Sequence, residues 1–281
     1  MRPNLSGTVS QQLRRVGLLS LLLMGGLLLF QNCSKVDFAQ SSLGEDSAAL
    51  TSTGGSIQGV ISDALTGTPI SGATVVIRAS DGAVKTVSSS GSGQYSSGPL
   101  STGTAHVDIS MSGYITVSSI PAEIVSSQVT SLNQSLSPSL AANQVRIVLN
   151  WTGPKIRAVR DVDAYLSVPG ATYPVYFDNP VTGGVQLDID IVNWLGPETI
   201  TINSLSAGTY VYYVNNYDTR TDTLALGNSD IRINVYRGSS LIKSYAVPAG
   251  TGITYEVFRI TDGQIYDQQK YNDTLPIARG Y

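Results

Sequence analysis

The pattern of hydrophobic and polar positions divides the chain into an apolar N-terminal run, a polar stretch and a long region of short segments. The run "VGLLSLLLMGGLLLF", residues 16–30, contains no charge. From residue 56 onward, short alternating apolar and polar segments are separated by turn signals every eight to twelve residues. This spacing is typical of strands in a sandwich or barrel. No ten-residue stretch after Asn143 has helical periodicity, so the pattern predicts an all-β protein.

The strand-like segments predict two consecutive antiparallel β-sandwich domains, at residues 56–138 and 143–281. In the first, strands are expected around Val60, at 74–77 and at 84–87, with glycine-containing turns between them. Nine segments follow in the second: "QVRIVLNW", "DVDAYLSV", "TYPVYF", "VQLDIDIV", "ETITI", "GTYVYYVNNY", "DIRINVYR", "SLIKSYAV" and "ITYEVFRI". "DGQ", residues 262–264, is expected to form a last hairpin turn. The polar linker "SPSLAAN" separates the two halves, and 13 of the 15 tyrosines follow residue 150.

The N-terminal residues have the layout of a secretory signal. Residues 1–15 are polar and contain three arginines, and the apolar run that follows is shorter than the roughly 20 residues that span a bilayer. Cys33, the only cysteine, follows the run almost at once and has no partner for an internal disulfide. This arrangement resembles a bacterial lipoprotein signal, in which the cysteine receives lipid and becomes the first mature residue.

The resemblance implies a signal peptide at residues 1–32, lipidation at Cys33 and a flexible tether over residues 33–55. The tether is rich in Ser, Gly and Thr. Acyl chains contribute about 0.8 kcal/mol per buried CH₂, so two or three of them hold a protein firmly at a membrane. An uncleaved membrane anchor and export through the twin-arginine route are the alternatives. The expected location is the bacterial cell envelope, at the outer membrane and facing the periplasm or the cell surface.

Charge excludes one class of partner. The chain has 17 basic and 20 acidic residues, and three of the arginines precede Cys33. A chain that begins at Cys33 therefore has 14 basic and 20 acidic side chains, a net charge of −6. Nucleic-acid binding requires clustered Lys and Arg, so no nucleic-acid partner is expected.

Three pieces of the first half resemble the carboxypeptidase regulatory-like domain, a transthyretin-like sandwich. They are "GVISDALTGTPISGATVVI" (59–77), "SGSGQYSSGPLSTGTAHVDISMSGY" (90–114) and "VTSLNQSLSP" (129–138). The resemblance implies a non-catalytic spacer or interaction module.

Six motifs of the second half resemble the YfaP-like or DUF2135-like sandwich domains of bacterial envelopes. They are "RIVLNW" (146–151), "DVDAYL" (161–166), "YFDN" (176–179), "LDID" (187–190), "GPETITI" (196–202) and "GTYVYYVNNY" (208–217). That family often has a histidine after the first Asp-x-Asp, where this chain has Tyr165. The role of that histidine is therefore not carried over.

Two Asp-x-Asp pairs suggest a cation site. On a strand, Asp161 and Asp163 share one face, and Asp188 and Asp190 repeat the arrangement. If the two strands are neighbours, four carboxylates converge, and a bound cation is one remedy for their repulsion. Calcium takes six to eight oxygen ligands, and Glu198 and Asn193 could complete its shell.

The simpler interpretation is that these aspartates face water or pair with nearby basic residues. Lys155, Arg157 and Arg160 closely precede the first pair. A glycosidase pair of carboxyl groups is a third interpretation, but nothing in the sequence marks one of them as buried. No cofactor is required by the sequence, and calcium is a hypothesis.

Aromatic residues are the second candidate for binding. Tyr165, Tyr210 and Tyr212 could offer flat apolar surface with a hydroxyl tip to a protein or sugar. Alternatively, they are cross-strand pairs that stabilise the sheet.

His106 lies two residues before Asp108 on the same strand face, but no Gly-x-Ser-x-Gly motif supplies a nucleophile. The sequence therefore predicts no catalytic residue.

The sequence as a whole predicts a lipid-anchored envelope protein that acts as a non-catalytic binding or adhesion-type module, stabilised by calcium if the acidic site forms. Its expected partners are the membrane, through the lipid, and an envelope protein or glycan. A purely structural scaffold and an enzyme acting on carbohydrate or peptidoglycan are the alternatives.

Overall fold

The computed structural model describes residues 54–152, 159–192, 196–218 and 221–274. This part of the chain forms 18 strands joined by turns and contains no helix, which confirms the all-β prediction. Accordingly, none of the described residues forms a helix long and apolar enough to cross a membrane. The signal segment, Cys33 and nearly all of the predicted tether lie outside the described residues.

The first eight strands form two facing sheets. One has the order β4-β1-β7, with β8 also paired to β1, and the other has the order β3-β2-β5-β6. The bounds are β1 Ser56–Asp63, β2 Thr74–Arg78, β3 Val84–Ser88, β4 Gln94–Ser96, β5 Gly103–Ser110, β6 Val117–Ile124, β7 Val129–Ser131 and β8 Gln134–Leu136.

The sheets of this first sandwich are not purely antiparallel. β1 pairs in parallel with β7 and with β8, through partners such as Ile57 with Thr130 and Ser62 with Ser135. The reason is the route of the chain: after β6 it crosses to the other sheet and pairs with β1, rather than returning beside β1 through a hairpin.

Ten further strands form a second sandwich. Its sheets have the orders β10-β14-β17-β18 and β11-β12-β13-β9-β15-β16. The bounds are β9 Val145–Thr152, β10 Val162–Ser167, β11 Val181–Thr182, β12 Val185–Ile189, β13 Glu198–Ile202, β14 Thr209–Asn216, β15 Asp230–Arg237, β16 Ser240–Ala246, β17 Thr254–Thr261 and β18 Gln264–Asn272. The predicted strand "TYPVYF" is instead an irregular segment that makes only isolated bridges, such as Val175 with Leu166.

Each sandwich has its own hydrophobic core. The inward residues of the first include Ile57, Ile61 and Ile77, which alternate with more exposed positions as the period of two requires. The second core is built around larger side chains, among them Trp151 and Phe258.

Strand β9 belongs to the joint between the sandwiches, because all eight of its residues are buried. Ile147 and Leu149 face the second core, whereas Val148 packs in the first. The amide of Ser135 donates to Asn150 Oδ1 across the joint at 2.8 Å. Residues 50–281 accordingly form one compact unit, and the predicted division into separate domains stays a prediction.

Candidate metal centre

The candidate site lies where the two sheets of the second sandwich meet at one edge. β10 is an edge strand of its sheet, and Glu198 begins β13 in the opposite sheet. The backbone amide of Ala164 donates to Glu198 Oε2 at 2.6 Å. An edge strand leaves part of its backbone without a neighbouring strand. Glu198 therefore accepts a hydrogen bond from a β10 amide that would otherwise lack a partner in a sheet.

Three carboxylates converge at this edge. Asp161, Asp163 and Glu198 each offer an oxygen, and these oxygens lie within 4.8 Å of one another. All three side chains are buried, with exposures of 3 %, 3 % and 1 %. Burying three acids together is unfavourable unless charge is removed or balanced, so the arrangement needs protons, donors or a cation.

Donors among the described residues reach Asp163 and Glu198. Asp163 Oδ2 accepts from the hydroxyl of Tyr165 at 3.2 Å, and Glu198 Oε2 accepts from Ala164. In the described part of the chain, Asp161 Oδ1 and Glu198 Oε1 are buried and have no hydrogen-bond donor, and a hydrogen bond between Asp190 and Glu198 forms only if one of the two carboxyl groups is protonated. Two unsatisfied, electron-rich oxygens in a buried acidic triad are what a bound cation would satisfy.

Electrostatics raises the proton affinity of the same groups. Burial raises the pKa of Asp161 to about 6, and the negative charges of Asp190 and Asp218 add to the effect. Burial also holds the pKa of Glu198 well above its usual range, followed by the charge of Asp163, while the Ala164 amide opposes the rise. Asp161 and Glu198 therefore bind a proton more readily than ordinary carboxyl groups do.

In the structure, the two aspartates of the second Asp-x-Asp pair have different neighbours. Asp190 is exposed and close enough to Glu198 to raise its pKa, whereas Asp188 accepts hydrogen bonds from Gln186 and Thr201 and is not one of the three converging carboxylates. The predicted four-aspartate site is thus wrong for Asp188. The physical reason is an irregular register between Leu187 and Ile189, after which β12 ends, so strict alternation no longer keeps the two aspartates together.

Of the basic residues expected near the first pair, Arg160 lies 3.7 Å from Asp218 through its Nε. It lowers the pKa of Asp161, but its effect is smaller than those of burial and the neighbouring acids. Lys155, Arg157 and Asn193 lie outside the described residues.

Asp218 is a neighbour of the site that sequence reasoning missed. Its Oδ1 accepts weakly from the amide of Asp161 at 3.4 Å. The antiparallel register pairs Val162 with Asn216, which brings the end of β14 to the start of β10. The sequence contains Asp218, but only this register places it beside Asp161.

The tyrosines proposed as a binding surface are buried. Tyr210 and Tyr212 point into the second core, and Tyr165 is covered by Tyr176, whose ring stacks on it at a centroid distance of 5.1 Å. The prediction of a surface role is therefore wrong for these three residues. Among the described residues, the large aromatic side chains that are exposed are Tyr173 and Tyr266, at 53 % each.

His106 is exposed, and its Nδ1 lies 3.4 Å from the hydroxyl of Ser119. Asp108 accepts from the Ser119 amide at 2.7 Å and pairs with Arg78. A catalytic triad requires the acid to orient the histidine, and these bonds direct Asp108 to the arginine and to the backbone.

Comparison with known proteins identifies the first sandwich. Residues 56–137 match the carboxypeptidase regulatory-like domain, in agreement with the resemblance seen in the sequence. No curated protein matches the chain.

Several solved structures are similar at low identity. A putative carbohydrate binding protein from Bacteroides uniformis is 13 % identical over 70 % of this chain and 98 % of its own, with a TM-score of 0.25. The major pilin SpaD from Corynebacterium diphtheriae is 12 % identical over 72 % of this chain and 65 % of its own, with a TM-score of 0.27. At these scores the likenesses carry no argument about function.

Proposed function

We propose that this protein is a non-catalytic module of the bacterial cell envelope whose second sandwich is stabilised by a calcium ion at Asp161, Asp163 and Glu198. The observation that carries the proposal is the pair of buried, unpartnered oxygens, Asp161 Oδ1 and Glu198 Oε1. All of the ligand atoms are carboxylate oxygens, the type that hard cations prefer. Asp190 and Asp218 lie close enough to add negative charge.

The burial of the triad favours a structural role for the ion over a catalytic one. A catalytic metal needs an open position for water or substrate, whereas these three side chains are nearly inaccessible. An ion here would connect β10 in one sheet to β13 in the other. The ion would thereby hold the two sheets together at this edge of the sandwich.

The module is proposed to be held at the membrane by lipid on Cys33, with residues 33–55 as the tether and the outer membrane as its location. The partner is proposed to be an envelope protein or a glycan. A scaffold role is the second candidate, and the buried joint supports it: Thr199, Ser135 and Arg146 all bond across from one sandwich to the other. Such a joint suits a protein that holds another component at a fixed distance.

Thermal unfolding tests the calcium site. Calcium at about 1 mM is expected to raise the melting temperature of the protein relative to EDTA, because a ligand that binds only the native state stabilises it by RT ln(1 + [L]/Kd). At a concentration of 100 Kd the gain is about 2.7 kcal/mol. A gain of 1 kcal/mol raises the melting temperature by about 2–4 °C in a protein of this size. Differential scanning calorimetry measures the shift.

Two variants sharpen this test. The double variant Asp161→Asn, Asp163→Asn is expected to lose the calcium response. Asp178→Asn, which changes an exposed acid outside the triad, is expected to keep it. Equal melting temperatures of the wild-type protein in calcium and in EDTA would rule the site out.

A further inference from the structure

One strand connects the metal centre to the first sandwich. Successive residues of β13 point to opposite sides: Glu198 faces the triad, and Thr199 faces the other way. The Thr199 hydroxyl is fully buried and donates to the carbonyl oxygen of Ala64 at 2.6 Å. Ala64 lies directly after β1, so a single peptide unit separates the proposed ion ligand from a bond across the joint.

A second contact leads from the site to the same turn. Asp190, whose charge acts on Glu198, is flanked by Ile189 and Ile191. The Cδ1 atoms of these two side chains lie against Gly67: a β-carbon on that glycine would be 3.1 Å from the first and 3.5 Å from the second. Both connections therefore end in the turn between β1 and β2.

That turn is held together by local hydrogen bonds. Asp63 Oδ1 accepts from the amides of Leu65 at 2.8 Å and Thr66 at 3.0 Å, and the Gly67 amide donates to the Asp63 carbonyl at 2.8 Å. These amides are protected from exchange with solvent only while the turn keeps its shape. The exchange rates of these amides therefore measure the order of the joint on the side of the first sandwich, away from the ion.

We propose that occupancy of the metal centre orders the joint between the two sandwiches. The inference rests on the proposed calcium site. Without an ion, the negative charge that remains among the three crowded carboxyl groups favours separation of Glu198 from Asp161 and Asp163, and movement at Glu198 displaces Thr199 from Ala64. With the ion bound, β13 is fixed at its first residue and both contacts to the turn are retained. The site then determines how rigidly the two sandwiches are held together.

Hydrogen exchange with mass spectrometry on the whole chain tests this coupling. Calcium is expected to slow exchange of the amides in residues 63–67 by at least about 5-fold relative to EDTA, the lower end of typical coupling between sites. The Thr199→Val variant keeps the shape of the side chain but removes its hydroxyl. It is expected to lose most of this protection, and Thr199→Ser, which keeps the hydroxyl, is expected to retain it.

Coupling between two sites is reciprocal, so calorimetric titration supplies a second readout. Thr199→Val is expected to weaken calcium binding several-fold. The matched control is Thr254→Val, which also removes a buried hydroxyl that donates to a backbone carbonyl, that of Thr274 at 2.9 Å, but within the second sandwich. This control is expected to bind calcium as the wild-type protein does.

The outcomes separate the two proposals. If calcium binds and protects residues 161–166 but leaves residues 63–67 unchanged, the coupling is wrong and the site stands. Equal calcium affinities of Thr199→Val and the wild-type protein would likewise overturn the coupling. If titration detects no calcium binding, the proposed site fails and the coupling fails with it.

Discussion

At the scale of single residues, the unfavourable interaction between buried negative charges is concentrated at one site in the second sandwich. Asp161, Asp163 and Glu198 are buried, and two of their oxygens have no hydrogen-bond donor among the described residues. Asp267, in contrast, accepts hydrogen bonds from the hydroxyl of Tyr245 and from Lys243, and both lower its pKa. This contrast indicates that the three buried carboxyl groups are a specific feature of the structure, not surface acids that neighbouring residues cover by chance.

The pH dependence of stability follows from the raised pKa of Asp161. Its pKa of about 6 in the folded protein exceeds the ordinary value of 3.8, so the folded state binds the proton more tightly than the unfolded state. Stability from this group is therefore gained as the pH falls through 6 and is lost as the pH rises. In EDTA, lowering the pH from 7 to 5 is expected to stabilise the protein by about 1 kcal/mol, or about 2–4 °C in melting temperature.

Melting curves at the two pH values, in EDTA and in calcium, measure this effect. Asp161→Asn is expected to reduce the gain at pH 5. The control Asp178→Asn changes an exposed acid outside the triad and is expected to leave it unaltered. A melting temperature in EDTA that falls between pH 7 and pH 5 would contradict the assignment of Asp161 as a buried, proton-binding carboxyl.

At the scale of elements, strand β9 is buried along its whole length although it contains Arg146, Asn150 and Thr152. Its residues contact the second core on one side and the first sandwich on the other. On the side of the joint, the buried guanidinium of Arg146 donates to Thr201 Oγ1 at 3.0 Å and to Ser137 Oγ at 2.9 Å. Burial lowers the pKa of Arg146, and the charges of Asp188 and Asp63 oppose this change. Asp188 thus has a role in the joint.

The hairpin between β17 and β18 offers a test of local conformation. Its two-residue loop is Asp262-Gly263, with φ values of 50° and 75°, the left-handed region that favours glycine at the second position. Gly263→Ala is expected to cost about 1 kcal/mol, measured by urea unfolding. Gly91→Ala is the control, because Gly91 has no left-handed φ and its added β-carbon would meet nothing within 4 Å. Equal destabilisation by the two changes would contradict the turn assignment.

At the scale of the whole molecule, separate predictions concern the described sandwiches and the N-terminal segment. The sandwiches carry the candidate ion and the joint, and the N-terminal segment is proposed to determine where the protein is held. The two can be tested separately, since no described residue of the metal centre lies near the N-terminus in sequence.

Intact mass spectrometry of the protein extracted from bacterial membranes tests the location. The mature chain is expected to begin at Cys33 and to carry the added mass of two or three acyl chains, because lipid on that residue is the proposed anchor. Cys33→Ser is the matched control and is expected to retain residues 1–32 without lipid. A wild-type chain that retains residues 1–32 and carries no lipid would overturn the assignment.

Local patterns in the sequence were sufficient to predict several of the strands. Alternation of period two and glycine-containing turns depend only on neighbouring residues, so β2, β3, β13 and the final hairpin were predicted correctly. The motif at residues 56–137 was likewise sufficient to identify the first domain type. The same local information indicated that Asp161, Asp163 and Glu198 were candidates for one site.

Only the tertiary structure decided which candidates meet and which residues are covered. An irregular register in β12 turned Asp188 to the joint, and the pairing of β10 with β14 brought Asp218 to Asp161. The surface role assigned to Tyr165 failed because the chain folds back eleven residues further on and stacks Tyr176 over it. These outcomes depend on contacts between residues distant in sequence, which alternation along one strand cannot encode.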